Sequence, residues 1–294
     1  MNLLHVVILA IVQGLAELLP VSSSAHVVVT EKLMGLDPTT PEMTLLLVML
    51  HTGTMFAVIV YFWKQWAKTY FHSAEAFKQI VILLFVATAL TGVIGEGLIK
   101  TIEKFAFHGA KNAEVEQLFG RLDLIAPALA AAGLLILIAG IYEKRHPFAG
   151  TISTGGLGMK QGALIGIVQG LCLPFRGFSR SGATISTGLM RGLRKDLLED
   201  FSFALAVVLT PAVIVREGHR LLKAQHLAGA SGEGLGPIWP YAVGMLLSFV
   251  AGWLSLKWLS RWLEHGRWHL FGYYCLFAAL MVLIAGQLFA GPSV

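Results

Sequence analysis

Apolar residues fill most of the chain, and polar residues gather in short groups between the apolar runs. Six runs read as complete spans, roughly Met43 to Trp63, Ala76 to Gly95, Leu124 to Tyr142, Phe201 to Val215, Pro240 to Leu259 and Trp268 to Leu288. Most approach the ~20 residues a helix needs to cross ~30 Å of hydrocarbon. The fourth is short and reads as extending past Arg216, whose charged head can snorkel to the interface. Two further apolar stretches, residues 2–33 and 158–193, are broken midway by Pro, Gly and Ser. Arms of about 10 to 18 residues are too short to cross alone, so each stretch predicts a re-entrant hairpin.

One broken hairpin followed by three spans occurs twice. The letters IVQGL stand at Ile11 to Leu15 and return at Ile167 to Leu171, at the same place in each half. Three spans are an odd number, so the second half enters from the opposite face. That is an inverted-topology repeat, with the two hairpin tips able to meet inside the bilayer. The expected fold is therefore an all-α polytopic membrane protein, one integral domain over 1–294. Its first repeat is 1–150 and its second 151–294.

Composition supports this and removes other classes. The chain is 56% hydrophobic and 13% charged, with a mean hydropathy of +0.72, whereas soluble domains are about a quarter charged. No polar stretch is long enough for a soluble domain. The net charge of +5 has no basic cluster with interleaved aromatics behind it, so nucleic acid is not an expected partner. Placing the loop after the first span in the cytoplasm puts twelve Lys and Arg on that side and eight on the other. This positive-inside bias sends both termini outward, brings the first hairpin in from the periplasm and the second from the cytoplasm. Cys172 and Cys275 have no metal-ligand spacing and predict neither zinc nor a disulfide. The opening MNLLHVVILA lacks a charged n-region and is expected to stay in the mature protein. Trp63, Trp66, Trp253, Trp258, Trp262 and Trp268 lie near span ends and read mostly as interfacial anchors.

The chemistry sits at the two breaks. Gln13 and Glu17 are four apart and share a helix face. Pro20 predicts a helix end near Leu19. Ser22, Ser23 and Ser24 follow, and serine is a good N-cap for the next arm, whose first turn holds His26. An ionised group at membrane depth costs ~2.5 to 3.5 kcal/mol on insertion scales, which calls for a partner or a function. The second break carries Ser179, Arg180, Ser181, Gly182 and Thr184. Helix-starting N–H groups with an arginine favour an anion, above all a phosphate gripped bidentately. At the repeat offset Ser23 falls on Ser179, so one tip brings acid and base and the other brings positive charge and hydroxyls. Plainer readings stand beside these. Glu17 and Arg180 also suit a structural ion pair, and Ser22 and Ser24 suit capping better than catalysis. His51, in "HTGT", is balanced between site and interface.

These stretches resemble a known family. Gln13-x-x-x-Glu17 followed by Pro20-Val-Ser-Ser-Ser-Ala-His26 is similar to the first signature of the undecaprenyl-diphosphatase, or bacitracin-resistance, family. Gly177-Phe-Ser-Arg-Ser-Gly-Ala-Thr184 is similar to its second, and Glu199 to Val207 resembles a third stretch. The resemblance covers essentially the whole chain. It implies a bacterial inner-membrane enzyme that hydrolyses undecaprenyl diphosphate to the monophosphate for peptidoglycan synthesis, with a divalent cation, Mg2+ or Ca2+. The implied functional residues are Gln13, Glu17, Ser23, His26, Ser179, Arg180 and Thr184. Two positions depart from the pattern: Arg176 replaces a proline and Ala25 a glycine. Arg176 either adds a second cation near the diphosphate or faces away.

On this reading Arg180, Ser179, Ser181, Thr184 and backbone N–H groups hold phosphate oxygens. Glu17, with Gln13 and the diphosphate, is expected to position the cation. His26 is general base or nucleophile, with Ser23 the competing nucleophile. The expected partners are undecaprenyl diphosphate, the lipid bilayer and, as one option, a second copy of the chain in a homodimer. The competing function is a transporter or flippase of a lipid phosphate, since inverted repeats with broken helices are usual in transporters.

Overall fold

A computed structural model describes residues 2–37, 40–106, 118, 120–146, 157–227 and 238–289. Every regular element among them is a helix: α1 (Leu3–Leu18), α2 (Ser23–Leu33), α3 (Pro41–Thr69), α4 (Ala74–Ala106), α5 (Leu122–Arg145), α6 (Met159–Cys172), α7 (Arg180–Met190), α8 (Lys195–Leu227), α9 (Trp239–Glu264) and α10 (Trp268–Phe289). Six of these are long and apolar enough to cross a membrane: α3, α4, α5, α8, α9 and α10. Five of these six helices outrun the apolar runs at both ends, and α10 does so only at its end, because a helix continues into the polar interface once its backbone is paired. Thus α8 begins at Lys195 and passes Arg216.

Two short helices and three long ones follow one another twice. The first arms, α1 and α6, each cross a long helix of the other half: α1 packs along α9, and α6 along α4. The repeated IVQGL lies at these crossings. A Cβ on Gly14 would stand 2.6 Å from the Cβ of Ala251 and 2.7 Å from the carbonyl oxygen of Ser248 in α9. A Cβ on Gly170 would stand 2.9 Å from the carbonyl oxygen of Thr91 in α4. Helices in lipid gain association energy from close backbone approach, which small residues permit. Gly170→Val is expected to push α6 off α4 at a cost of about 1–3 kcal/mol, seen as a lower thermal midpoint of the purified protein in detergent.

Breaks in the hairpins have local causes. Helix α1 ends at Leu18 with Leu19 already extended, one residue before Pro20. Ser22 precedes α2 at φ 67°, the one non-glycine residue with positive φ among those described. That conformation costs roughly 1–3 kcal/mol, and its side chain makes no capping hydrogen bond. The second break is capped as serine usually caps: Ser179 Oγ accepts from the Gly182 N–H at 3.2 Å. Gly177 supplies φ +100° just before it, and a Cβ there would lie 2.5 Å from the Ile125 carbonyl oxygen.

Two anchor readings are corrected by packing. Trp268 is fully buried and donates from Nε1 to Ser186 Oγ at 2.9 Å, and Trp66 is also buried. They sit near span ends but face inward, where a neighbouring helix takes the place of lipid. Cys172 and Cys275 are free and buried.

Candidate active site

The tips of the two hairpins meet. Gly177 N–H donates to Ser24 Oγ at 3.3 Å, and Ser181 Oγ lies 3.5 Å from the Leu19 carbonyl. At this seam is a cavity of about 100 Å3 lined by Glu17, Ser22, Ser23 and Ser24 from one tip and by Ser179, Arg180 and Ser181 from the other, among others.

Glu17 organises it. Its Oε1 accepts from an Arg180 Nη at 3.0 Å. Its Oε2 accepts from the Ser23 hydroxyl at 2.5 Å and from Gln13 Nε2 at 3.1 Å. The helix geometry makes this possible: Gln13 and Glu17 are one turn apart on α1, Ser23 opens α2, and Arg180 is the first residue of α7. A hydroxyl hydrogen-bonded to a carboxylate is the arrangement of an activated nucleophile. The guanidinium and the start of α7 place positive charge beside it. His51 is a neighbour that the sequence left balanced. Its Nδ1 donates to the Leu47 carbonyl at 2.8 Å, which turns Nε2 toward Glu17 Oε2 at 3.8 Å.

Three expected residues stand elsewhere. His26 turns away from the cavity. A carbonyl can only accept, so Nδ1 donates to Ser22 O at 2.8 Å. In the neutral ring Nε2 is then the acceptor for Tyr274 O–H at 2.7 Å. The imidazole lies nearly parallel to the Tyr274 ring, 9° between planes. Thr184 is fully buried one turn into α7, bonded to Ser202 Oγ at 2.7 Å and donating to the Arg180 carbonyl at 3.0 Å. It braces the helix start rather than facing the cavity. Arg176 lines a separate apolar groove on the far side of Phe178. Its electrostatic neighbour is Glu31, a fully buried carboxylate with no hydrogen-bond partner among the described residues. Neither Tyr274 nor Glu31 was singled out from the sequence. Glu31 was readable as a charge in an apolar arm, whereas nothing local points to Tyr274. If Tyr274 only orients His26, Tyr274→Phe removes one net hydrogen bond of about 0.5–1.5 kcal/mol and lowers turnover no more than about tenfold, measured as phosphate release.

The expected metal ligands, Gln13 and Glu17, do not fit that role as arranged. Both Glu17 oxygens face donors: a guanidinium, a hydroxyl and the amide of Gln13, which presents its NH2 to the carboxylate. A cation there would face positive charge at 3.0 Å from the same carboxylate. No group of three His, Cys, Asp or Glu among the described residues is arranged to hold a metal ion.

Residues 6–281 match the family described as Bacitracin resistance protein BacA. An undecaprenyl-diphosphatase 2 of Acinetobacter baylyi is 57% identical over 288 residues, 97% of this chain and 99% of that protein. Undecaprenyl-diphosphatases of Rhodopirellula baltica and Gluconacetobacter diazotrophicus are each 34% identical, covering 96% and 98% of this chain and 98% of each relative. A match of this extent, with both signatures meeting at one cavity, makes the chain a member of the Bacitracin resistance protein BacA family.

Proposed function

We propose that this chain hydrolyses undecaprenyl diphosphate to undecaprenyl phosphate and phosphate in a bacterial inner membrane, with the site open to the periplasm. The reaction returns the lipid carrier to peptidoglycan synthesis, and removing the diphosphate form accounts for bacitracin resistance. The observation that carries this reading is the Ser23 hydroxyl on Glu17, directly beside Arg180.

In the proposed reaction the terminal phosphoryl group sits against Arg180, Ser179, Ser181 and the first N–H groups of α7. Ser23 Oγ attacks the terminal phosphorus as Glu17 takes its proton. The Oγ–P bond forms, the P–O anhydride bond breaks, and undecaprenyl phosphate leaves. Glu17 passes that proton to the departing undecaprenyl phosphate. Water then attacks the phosphoserine phosphorus as Glu17 takes a proton from it. The Ser23 Oγ–P bond breaks, Glu17 returns the proton to Ser23 Oγ, and phosphate is released. Ser23 is favoured over His26 because His26 has its Nε2 engaged by Tyr274. A divalent cation, Mg2+ or Ca2+, enters in this reading with the diphosphate, whose oxygens are suitable ligands, and not as a resident of Gln13 and Glu17.

The test is phosphate release from undecaprenyl diphosphate by the purified protein in detergent, where no transport can be scored. Turnover supports the diphosphatase over the transporter, and its absence with a folded protein overturns it. A phosphoserine trapped at residue 23 by acid quench supports covalent catalysis; quenching that finds no phosphoenzyme and labelled water oxygen arriving in one step overturns it. Chelation is expected to suppress turnover and Mg2+ or Ca2+ to restore it.

A further inference from the structure

Besides Arg180, Ser23 and Gln13, Glu17 has a fourth polar neighbour, the imidazole of His51 on α3. The tautomer of that ring is fixed by its own helix. Nδ1 donates to the Leu47 carbonyl at 2.8 Å, so in the neutral ring Nε2 carries a lone pair and no hydrogen. That lone pair stands 3.8 Å from Glu17 Oε2, which is itself an acceptor. Two acceptors form no bond with each other, but at this separation they suit a molecule that donates to both. A water making two bonds of ~2.8 Å closes the triangle.

The separation is built by α9, which holds both partners. Ser248 Oγ donates to the Leu50 carbonyl at 3.0 Å, and a Cβ on Gly53 would run into the Met245 carbonyl. Helix α3 is therefore pinned to α9 at positions flanking His51. Helix α1 rests on the same stretch of α9, with Gly14 against Ser248 and Ala251, one turn before Glu17. Ser248 is fully buried and meets both helices. His51 and Glu17 thus face each other across a gap that neither helix can easily widen.

We infer that His51 is a further catalytic residue: with Glu17 it holds the water that hydrolyses the Ser23 phosphoester. The inference rests on the diphosphatase reading and on its covalent step. In the free protein Glu17 Oε2 accepts from the Ser23 hydroxyl at 2.5 Å. Once Oγ is esterified it has no hydrogen to donate, and the phosphoryl charge is repelled by the carboxylate and drawn to Arg180. Oε2 keeps the Gln13 amide and has room for one more donor. A water between Oε2 and His51 Nε2 fills that place, giving one hydrogen to each and leaving its lone pairs for the phosphorus. As it attacks, the new O–P bond forms and the Oγ–P bond breaks. The hydrogen on Oε2 passes to Glu17 and then to Ser23 Oγ. The hydrogen on Nε2 stays with the released phosphate. His51 takes no proton; it aims the water, and Glu17 remains the base.

The test separates the two chemical steps in the purified protein by rapid acid quench with undecaprenyl diphosphate. His51→Ala is expected to release a burst of about one undecaprenyl phosphate per site, with phosphoserine accumulating at residue 23. Phosphate release then lags, and kcat falls about a hundredfold, the scale of a misplaced reacting group. His51→Gln sets an uncharged acceptor oxygen close to the place of Nε2. It is expected to abolish the burst and return kcat to within about tenfold of the parent. Unchanged turnover in a folded His51→Ala protein, or slowing with neither burst nor phosphoserine, overturns the proposal. A glutamine variant as slow as the alanine one overturns it too, in favour of an imidazolium that merely pairs with Glu17. The two readings fail separately. A parent protein that releases no phosphate loses the diphosphatase reading, whereas an active parent beside a burst-free His51→Ala loses only the role of His51.

Discussion

Arg180→Lys is expected to lose about two to three orders of magnitude in kcat, the scale seen when one preorganised donor to a developing oxyanion is removed, while the protein still folds and inserts. Arg180 has two tasks that lysine cannot perform together. It keeps one Nη on Glu17 Oε1 at 3.0 Å, and its planar fork has further N–H groups to offer phosphate oxygens in fixed directions. An ammonium can satisfy the carboxylate or the phosphate, but it has no rigid fork to span both. Phosphate release in detergent measures the effect, and the thermal midpoint shows whether folding is intact. Turnover within a few-fold of the parent would remove Arg180 from phosphoryl-charge stabilisation.

This expectation was open to the sequence because its cause is local. The repeated IVQGL says that the two breaks are equivalents, and the signatures at those breaks put acid and base on one and positive charge and hydroxyls on the other. The structure adds a physical reason for the repeat: Gly14 and Gly170 let the first arms lie directly on α9 and α4. The same crossings hold the tips at one depth, so Glu17 and Arg180 meet although they are far apart along the chain.

Side-chain direction was less legible, because it is set from helices distant in sequence. His26 belongs to the first turn of α2, yet its ring is fixed by Tyr274 of α10, and no pattern near residue 26 announces that partner. Thr184 matches a signature position, but Ser202 of α8 holds its hydroxyl inside the bundle. Arg176 and Arg180 are four residues apart, and the positive φ of Gly177 sends them to different sides of Phe178. Ser22 stands at the N-cap position and fails to cap because its backbone is already committed to the turn after Pro20. Spacing predicts which residues share a break; it does not predict which side of the break each one faces.

Glu17→Gln is the decisive change for the proposed chemistry, and the expected loss in kcat is about three to four orders of magnitude. General base catalysis supplies some 10²–10⁴-fold, and glutamine abolishes it by removing the proton acceptor for Ser23. Glutamine can still accept from Arg180 or Ser23 through one oxygen, so the shape of the seam survives while its charge does not. A purely structural ion pair makes a different forecast. Truncating one partner of a buried pair costs about 3–5 kcal/mol because the other charge is stranded, and replacing both with apolar groups returns much of that. The double variant Glu17→Gln with Arg180→Met separates the two cases. For a structural pair, the double variant recovers both thermal stability and phosphate release relative to Glu17→Gln alone. For the catalytic pair argued here, stability recovers and phosphate release stays at the level of the worse single variant. Residues that act as one unit in a reaction are non-additive in that way, and no trapped phosphoserine should form in either protein.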